Sequence, residues 1–310
     1  MNKSFVYFGT SDFADIILTG LLKAGLRPVL VVTTLPQAKG RGLKKTSSPV
    51  GLRAVANQLE LLESPSLKNV DIKKQLAKFK TDFAVLAAFG QIVPASVLVL
   101  YPKGIVNVHP SLLPLYRGAS PIASALLAGQ FKTGVSLMLL DDLMDHGPLL
   151  KQVEYLIKEK DNALTLSQAL AGLAGEILPN VLIDYLSGKI KPVAQDHSLA
   201  TYTKLISRSD GRANFNLTAE QLNNLRRAFY PWPGLWTTWR GQVVKLLQTE
   251  VLDVELTKPG LVKEYQNQGL SIDCQSGSIL VKEIQLAGRK PMLAGDFIRG
   301  QASFVGTVLQ

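Results

Sequence analysis

The chain has 310 residues, 46% hydrophobic and 19% charged, with a formal net charge of +10. That composition describes a globular chain with a real core, long enough for about two domains. A single cysteine, Cys274, excludes an internal disulfide and a cysteine-rich zinc site, and no continuous apolar run reaches the roughly 18 residues a bilayer span requires. The apolar stretch within MNKSFVYFGTSDFAD is too short for a secretory signal. A reducing cytoplasm is the expected compartment.

In chain order, Phe5 to Phe8 reads as a short apolar strand ending at Gly9. Phe13 to Leu22 reads as a helix with apolar residues three and four apart. PVLVVTT, Pro28 to Thr34, is β-branched and continuous, as a strand buried on both faces should be. Between Asp15 and Glu60 there is no acidic residue, while Lys23, Arg27, Lys39, Arg41, Lys44, Lys45 and Arg53 all fall there. A charge run so uniform, centred on a glycine-containing loop, speaks to partners rather than to fold.

Val50 to Leu59 and Val70 to Phe79 then read as helices. Phe83 to Ala88, Ile105 to Val108 and Val135 to Leu140 read as strands, and Leu164 to Leu186 as a long helix. Strand–helix alternation predicts an α/β domain, an open and mostly parallel sheet with helices on both faces, over residues 1–189. Residues 190–205 are polar, contain Pro192 and suit a linker. Beyond them one helix is expected, with Thr218 as N-cap and Leu222, Leu225 and Ala228 on its apolar face. Short strands come next at Gln242 to Gln248, Leu261 to Tyr265, Leu270 to Asp273 and Ser278 to Leu286, punctuated by glycines, as in a small antiparallel β-barrel over 206–310.

The densest chemical cluster runs from Gly104 to Leu150 and begins GIVNVHPSLLPLYRGASPI. Asn107 and His109 are two apart on one strand, so their side chains share a face. They stand at the carboxyl edge of a parallel strand, where open α/β sheets place their ligands. Asp145 comes after another strand and a polar turn, which allows a return to the same edge. An amide can donate to a developing oxyanion, a histidine can act as general acid or base, and a carboxylate can orient it. An acceptor that brings its own nucleophile needs no catalytic serine or cysteine. Spacing alone leaves open a plainer reading: a structural histidine, a turn asparagine and a capping aspartate.

The string NVHPSLLPLYRGASPI, with MDHGPLL nearer the end of the cluster, resembles the signature of the folate-dependent formyltransferases. The resemblance implies that Asn107, His109 and Asp145 are catalytic. It also implies that the first domain is Rossmann-like and binds 10-formyltetrahydrofolate, and that an amine attacks the formyl carbon through a tetrahedral intermediate. FGTSDFA (Phe8 to Ala14) resembles the family's opening strand and turn and is no dinucleotide fingerprint. LAAFGQIVP resembles the loop lining the folate pterin, with Phe89, Gln91 and Ile92 as candidates, and Ser111, Leu112, Leu113 and Pro114 join them in the folate-binding set. Ser111 itself reads as a turn residue rather than a nucleophile. No metal is implied.

The acceptor is a separate matter. KGRGLKKTSSPV resembles the basic loop by which methionyl-tRNA formyltransferases reach the acceptor stem. This makes Lys39, Arg41, Lys44 and Lys45 candidate phosphate contacts and initiator methionyl-tRNA the expected partner. TYTKLISRSDGRANF and LRRAFYPWPGLW resemble the second, OB-like tRNA-binding domain of that family. From Thr201 onward 13 basic and 9 acidic residues make its charge only mildly positive. Trp232, Trp236 and Trp239 are expected in core and interdomain packing rather than as base-stacking surfaces. Leu115, His146 and the acid-free Thr34 to Gln37 depart from the family pattern and touch the details of acceptor contact. The competing readings are an amino-sugar nucleotide formyltransferase, a formyltetrahydrofolate hydrolase and a catalytically silent RNA-binding module. A cytoplasmic monomer with no membrane partner is expected.

Overall fold

A computed structural model describes residues 4–39, 44–254, 258–266 and 269–310. The chain divides into two compact units. One comprises Met1–Pro121, Lys132–Leu156 and Leu166–Thr203, the other Ile122–Phe131, Ile157–Thr165 and Lys204–Gln310.

The first unit is built on a seven-stranded sheet. Its strands are β1 (Phe5–Gly9), β2 (Leu30–Thr34), β3 (Leu61–Ser64), β4 (Phe83–Ala87), β5 (Ile105–His109), β6 (Lys132–Leu139) and β7 (Leu149–Leu156). The order is β7-β6-β5-β4-β1-β2-β3, with β5 through β3 parallel and β6 and β7 antiparallel at one edge. Every residue of β1, β4 and β5 is buried, which is why these strands read as continuous apolar runs. The order reverses between β1 and β4, the crevice where such sheets bind ligands. There the Thr10 hydroxyl donates to the Phe89 carbonyl at 2.9 Å and ties the two adjoining loops together.

Helices α1 (Asp12–Lys23), α2 (Pro49–Ala56), α3 (Val70–Ala77) and α4 (Ala163–Leu186) stand close to their expected positions. By length and average composition α4 is apolar enough to cross a membrane, although no continuous apolar run in it is that long. Packing accounts for its character: Leu166, Leu170, Ala171, Ala174, Leu178 and Leu182 are buried. Strands β3 and β7 and the helix Pro121–Leu127 escaped the sequence reading. In β7, Lys151, Glu154 and Leu156 are exposed, and no apolar run marks an edge strand whose outer face is charged.

In the second unit Thr218 caps α5 (Ala219–Phe229) as expected. Its hydroxyl accepts from the Gln221 amide N–H at 3.2 Å, and the Gln221 side chain accepts from the Thr218 N–H at 3.0 Å. The strands β8 (Leu235–Trp239), β9 (Gln242–Leu252), β10 (Val262–Tyr265), β11 (Gly269–Asp273) and β12 (Ser278–Leu286) form an antiparallel sheet ordered β8-β9-β12-β11-β10. The last residues join its two edges: Val308 bridges Leu261 beside β10, and Thr237 of β8 donates to the Gln310 carbonyl at 3.1 Å. Trp239 packs edge-on against Phe304 at 5.1 Å in the core beneath. Of the other tryptophans, Trp236 is half-buried, its indole N–H donating to the Arg208 carbonyl. Trp232 is 58% exposed and takes no part in the core of its unit.

Helices α1 and α4 approach closely at Gly20 and Gly175. A methyl group on Gly20 would stand 2.6 Å from the Gly175 carbonyl oxygen and 2.7 Å from its Cα. Backbone cannot yield as a side chain tip can, so Gly20→Ala is expected to destabilise the chain by about 1–3 kcal/mol. Urea unfolding measures this, and an unchanged midpoint would contradict the tight crossing.

Candidate active site at the carboxyl edge of the sheet

Asn107 and His109 occupy alternate positions on β5, paired across β6 with Met138 and Ser136. Both are buried, at 6% and 4% exposure. Asp145 reaches them from the loop after β6, in the left-handed region at φ 48°. An aspartate tolerates that conformation better than most residues, and here surrounding contacts fix it. The Gly118 amide donates to its Oδ2 at 2.8 Å. Its Oδ1 lies 3.4 Å from the Asn107 amide nitrogen, and its Oδ2 lies 3.6 Å from His109 Nδ1. The three side chains meet around one carboxylate.

The second ring nitrogen, His109 Nε2, stands 3.0 Å from the Tyr116 carbonyl. A carbonyl only accepts, so Nε2 carries the hydrogen. That leaves the lone pair on Nδ1, the nitrogen facing Asp145. The Asn107 amide has two N–H groups. One faces Asp145, and the other is available to a substrate oxygen.

A second tier holds Asp145 in place. Gln195 donates from its amide to the carbonyls of Asp145 and Gly147, at 2.9 and 2.7 Å. It accepts in turn from the guanidinium of Arg117 at 2.7 Å. Arg117, 1% exposed, also donates to His197 Nδ1 at 2.8 Å, so the His197 hydrogen sits on Nε2. His197 stacks on His146 with ring centroids 3.9 Å apart, and His146 Nδ1 lies 2.6 Å from an Asp141 oxygen. The histidine after Asp145, a departure with no explanation in sequence, therefore belongs to this support.

Sequence pattern singles out none of Asp141, Gln195 or His197. Tyr116 and Arg117 are visible only as letters of the YRGA stretch of the motif string. Gln195 lay in the stretch read as linker, and a lone glutamine there carries no signal.

The expected folate residues fall in different places. Phe89 is buried, its ring edge-on to Phe8 at 5.5 Å. Gln91 spans a loop, donating to the Ser64 carbonyl at 3.0 Å and accepting from the Leu67 amide at 3.1 Å. Ile92 is exposed. Ser111 is a turn residue, its hydroxyl donating to the Leu115 carbonyl at 2.6 Å. Leu113 is buried, with its amide donating to Ser136 Oγ, and Leu112 and Pro114 are half-buried. Of the basic loop, Lys45 is exposed on a short hairpin of Gln37–Lys39 and Lys44–Thr46. Arg41 and the side chains of Lys39 and Lys44 lie outside the described residues. Among the described residues, no group of three His, Cys, Asp or Glu side chains is placed to hold a metal ion.

This α/β fold, with an amide, an imidazole and a carboxylate at its ligand edge, is that of a group-transfer enzyme. The chain matches the formyl transferase family over residues 1–182 and the formyl transferase C-terminal domain over residues 205–302. It is 37% identical over 298 residues to a methionyl-tRNA formyltransferase of Chloroflexus aurantiacus, covering 95% of this chain and 96% of that protein. It is 35% identical over 297 residues to one of Geobacter metallireducens, covering 96% and 95%. It is also similar in structure to the N-formyltransferase of Helicobacter canadensis in complex with folinic acid and dTDP-3-aminofucose. That match has TM-score 0.68 and 17% identity and covers 91% of this chain and 99% of that one, a likeness of fold. The chain belongs to the formyl transferase family, on the branch of the methionyl-tRNA formyltransferases.

Gln195→Met keeps the side chain's shape and removes its donors and acceptor. Turnover in formyl transfer is expected to fall about 10- to 100-fold, with the KM for the formyl donor nearly unchanged, because the loop that aims Asp145 loses its clamp. Steady-state kinetics decide this, and wild-type turnover would show that Asp145 is positioned without Gln195.

Proposed function

We propose that the enzyme transfers the formyl group of 10-formyltetrahydrofolate to the free amino group of initiator methionyl-tRNA, supplying the formylated tRNA that starts translation. The observation that carries this reading is the 37% identity to a methionyl-tRNA formyltransferase over nearly the whole length of both proteins, both domains included.

In the mechanism we assign, the amine nitrogen attacks the formyl carbon. The free N–H of Asn107 donates to the formyl oxygen as it gains negative charge. Asp145 assists the amine in losing its proton. His109 steadies the charge and returns a proton to the folate nitrogen as its bond to the formyl carbon breaks. The products are a formamide and tetrahydrofolate, and no covalent enzyme intermediate is required. Residues 89–92 and 111–114 line the folate side, Ile92 through its side chain, Phe89 and Gln91 chiefly through their backbone, together with the Ser111–Pro114 turn. Lys39, Arg41, Lys44 and Lys45 meet the tRNA phosphates, and residues 206–310 form the domain that binds the rest of the tRNA. The enzyme acts as a cytoplasmic monomer without a membrane partner.

Incubation with 10-formyltetrahydrofolate and either methionyl-tRNA or an amino-sugar nucleotide tests the acceptor. Formyl-methionyl-tRNA is the expected product, and formylation of the sugar alone would refute the reading. Asn107→Ala, His109→Ala and Asp145→Ala are each expected to lower turnover at least about a hundredfold while circular dichroism stays native. Near-normal turnover in any of them removes that residue from the mechanism.

Arg41→Ala is expected to raise the KM for methionyl-tRNA far more than that for the folate. Equal effects on both would take the loop away from the tRNA.

A further inference from the structure

Within the second unit, α5, the turn after it and strands β8, β9 and β12 surround a cavity of about 330 Å³. Arg226 lines it from the helix. Lys245 lines it from β9 and faces Gln285 on β12, while Glu283 lies two residues along the same strand face.

Arg226 is the unusual member. Its Nε is sealed from solvent and, among the described residues, has no hydrogen-bond partner. Adjacent Arg227 shows the contrast: its guanidinium donates to the Asp161 carbonyl, the Asn224 side chain and the Lys158 carbonyl at 2.7, 3.2 and 3.1 Å. Burial, and then the charge of Arg227, push the Arg226 guanidinium below its ordinary pKa range. Glu283 is the one carboxylate lining the cavity, and among the described residues it forms no ion pair with Arg226 or Lys245.

Arg226 as a whole is half-buried, but a guanidinium nitrogen sealed from water without a partner is costly, and a native fold that keeps one has a use for it. Two cations against one carboxylate leave an excess of about one positive charge, which a phosphodiester neutralises. Guanidinium geometry favours a phosphate's paired oxygens, and Tyr230 and Gln285 at the same wall supply further donors.

We propose that this cavity is a phosphate-binding site, in which Arg226 and Lys245 hold a backbone phosphate of the nucleic-acid substrate. The source of the phosphate rests on tRNA being the acceptor; the site itself does not.

Two measurements on the full chain test it, using Arg226→Met and Lys245→Met. In thermal melting at matched ionic strength, inorganic phosphate in place of chloride is expected to raise the wild-type Tm by about 3 °C and to leave both variants unmoved. In binding titrations, deacylated initiator tRNA is expected to bind each variant roughly tenfold more weakly. The plot of log affinity against log salt should be shallower by about 0.7–0.9 for each phosphate that the variant no longer neutralises. Wild-type behaviour of both variants in both assays overturns the site. A melting shift without a change in tRNA slope keeps the site and overturns its nucleic-acid source. Were tRNA not the substrate, the titration would be weak for every protein alike, while melting would still decide the cavity. Lys245→Met, at a half-exposed strand position, keeps the test decisive should Arg226→Met not fold.

Discussion

The site depends on one constraint: an aspartate held in a left-handed backbone conformation so that its carboxylate lies between an amide and an imidazole. Neither strand β5 nor the loop after β6 can secure this alone. The strand offers Asn107 and His109 with the rigidity of a buried sheet, but the loop must be brought to them. Three separate grips do so. The Gly118 amide holds the carboxylate, Gln195 holds the backbone on both sides of His146, and Gly147 packs so closely on the Leu139 carbonyl that no other residue fits. Pre-organisation of this kind is what electrostatic catalysis needs, since dipoles already aimed need not be reoriented as charge develops.

Much of this was legible in the sequence, and the reason is periodicity. Buried parallel strands are unbroken apolar runs, so β1, β2, β4 and β5 announced themselves, and a strand's period of two placed Asn107 and His109 on one face before any fold was known. The same rule hid β7, whose exposed face is charged, and β3, a short strand at the other edge. The supporting tier was hidden for a different reason. Gln195 and His197 lie some fifty residues beyond Asp145 in a polar stretch without pattern, and nothing local indicates that the chain turns back there to pair Val193 with Leu149.

Resemblance and geometry also answer different questions. The motif string names roles, but it does not distinguish a side chain offered to a ligand from one spent on the fold. Phe89 and Gln91 sit in the segment that resembles a pterin-lining loop, yet the ring of one completes the core against Phe8 and the amide of the other is engaged at both ends by the Ser64–Leu67 turn. What that loop can present to a substrate is therefore chiefly its backbone and Ile92. The fixed side chains give the backbone its shape.

Four guanidinium groups show how the chain uses positive charge. Arg53 meets the carboxylate of Asp15 with two parallel bonds of 2.8 Å, a surface pair that neutralises itself. Arg227 spends its hydrogens on neutral oxygens and ties residues 158–161 to α5. Arg117 is fully buried with neutral partners, Gln195 and His197, so its charge remains uncancelled close to the loop that carries Asp145. Arg226 has an Nε without a hydrogen-bond partner among the described residues and lines a cavity. The first two explain themselves as structure. In the other two the guanidinium Nε is sealed from water with no hydrogen-bond partner among the described residues, a cost that stability alone does not justify. Arg117 is spent on Gln195, the residue that clamps the backbone of Asp145. In the second unit the balancing anion has to come from outside the chain, and an enzyme whose acceptor is a polyanion has one at hand.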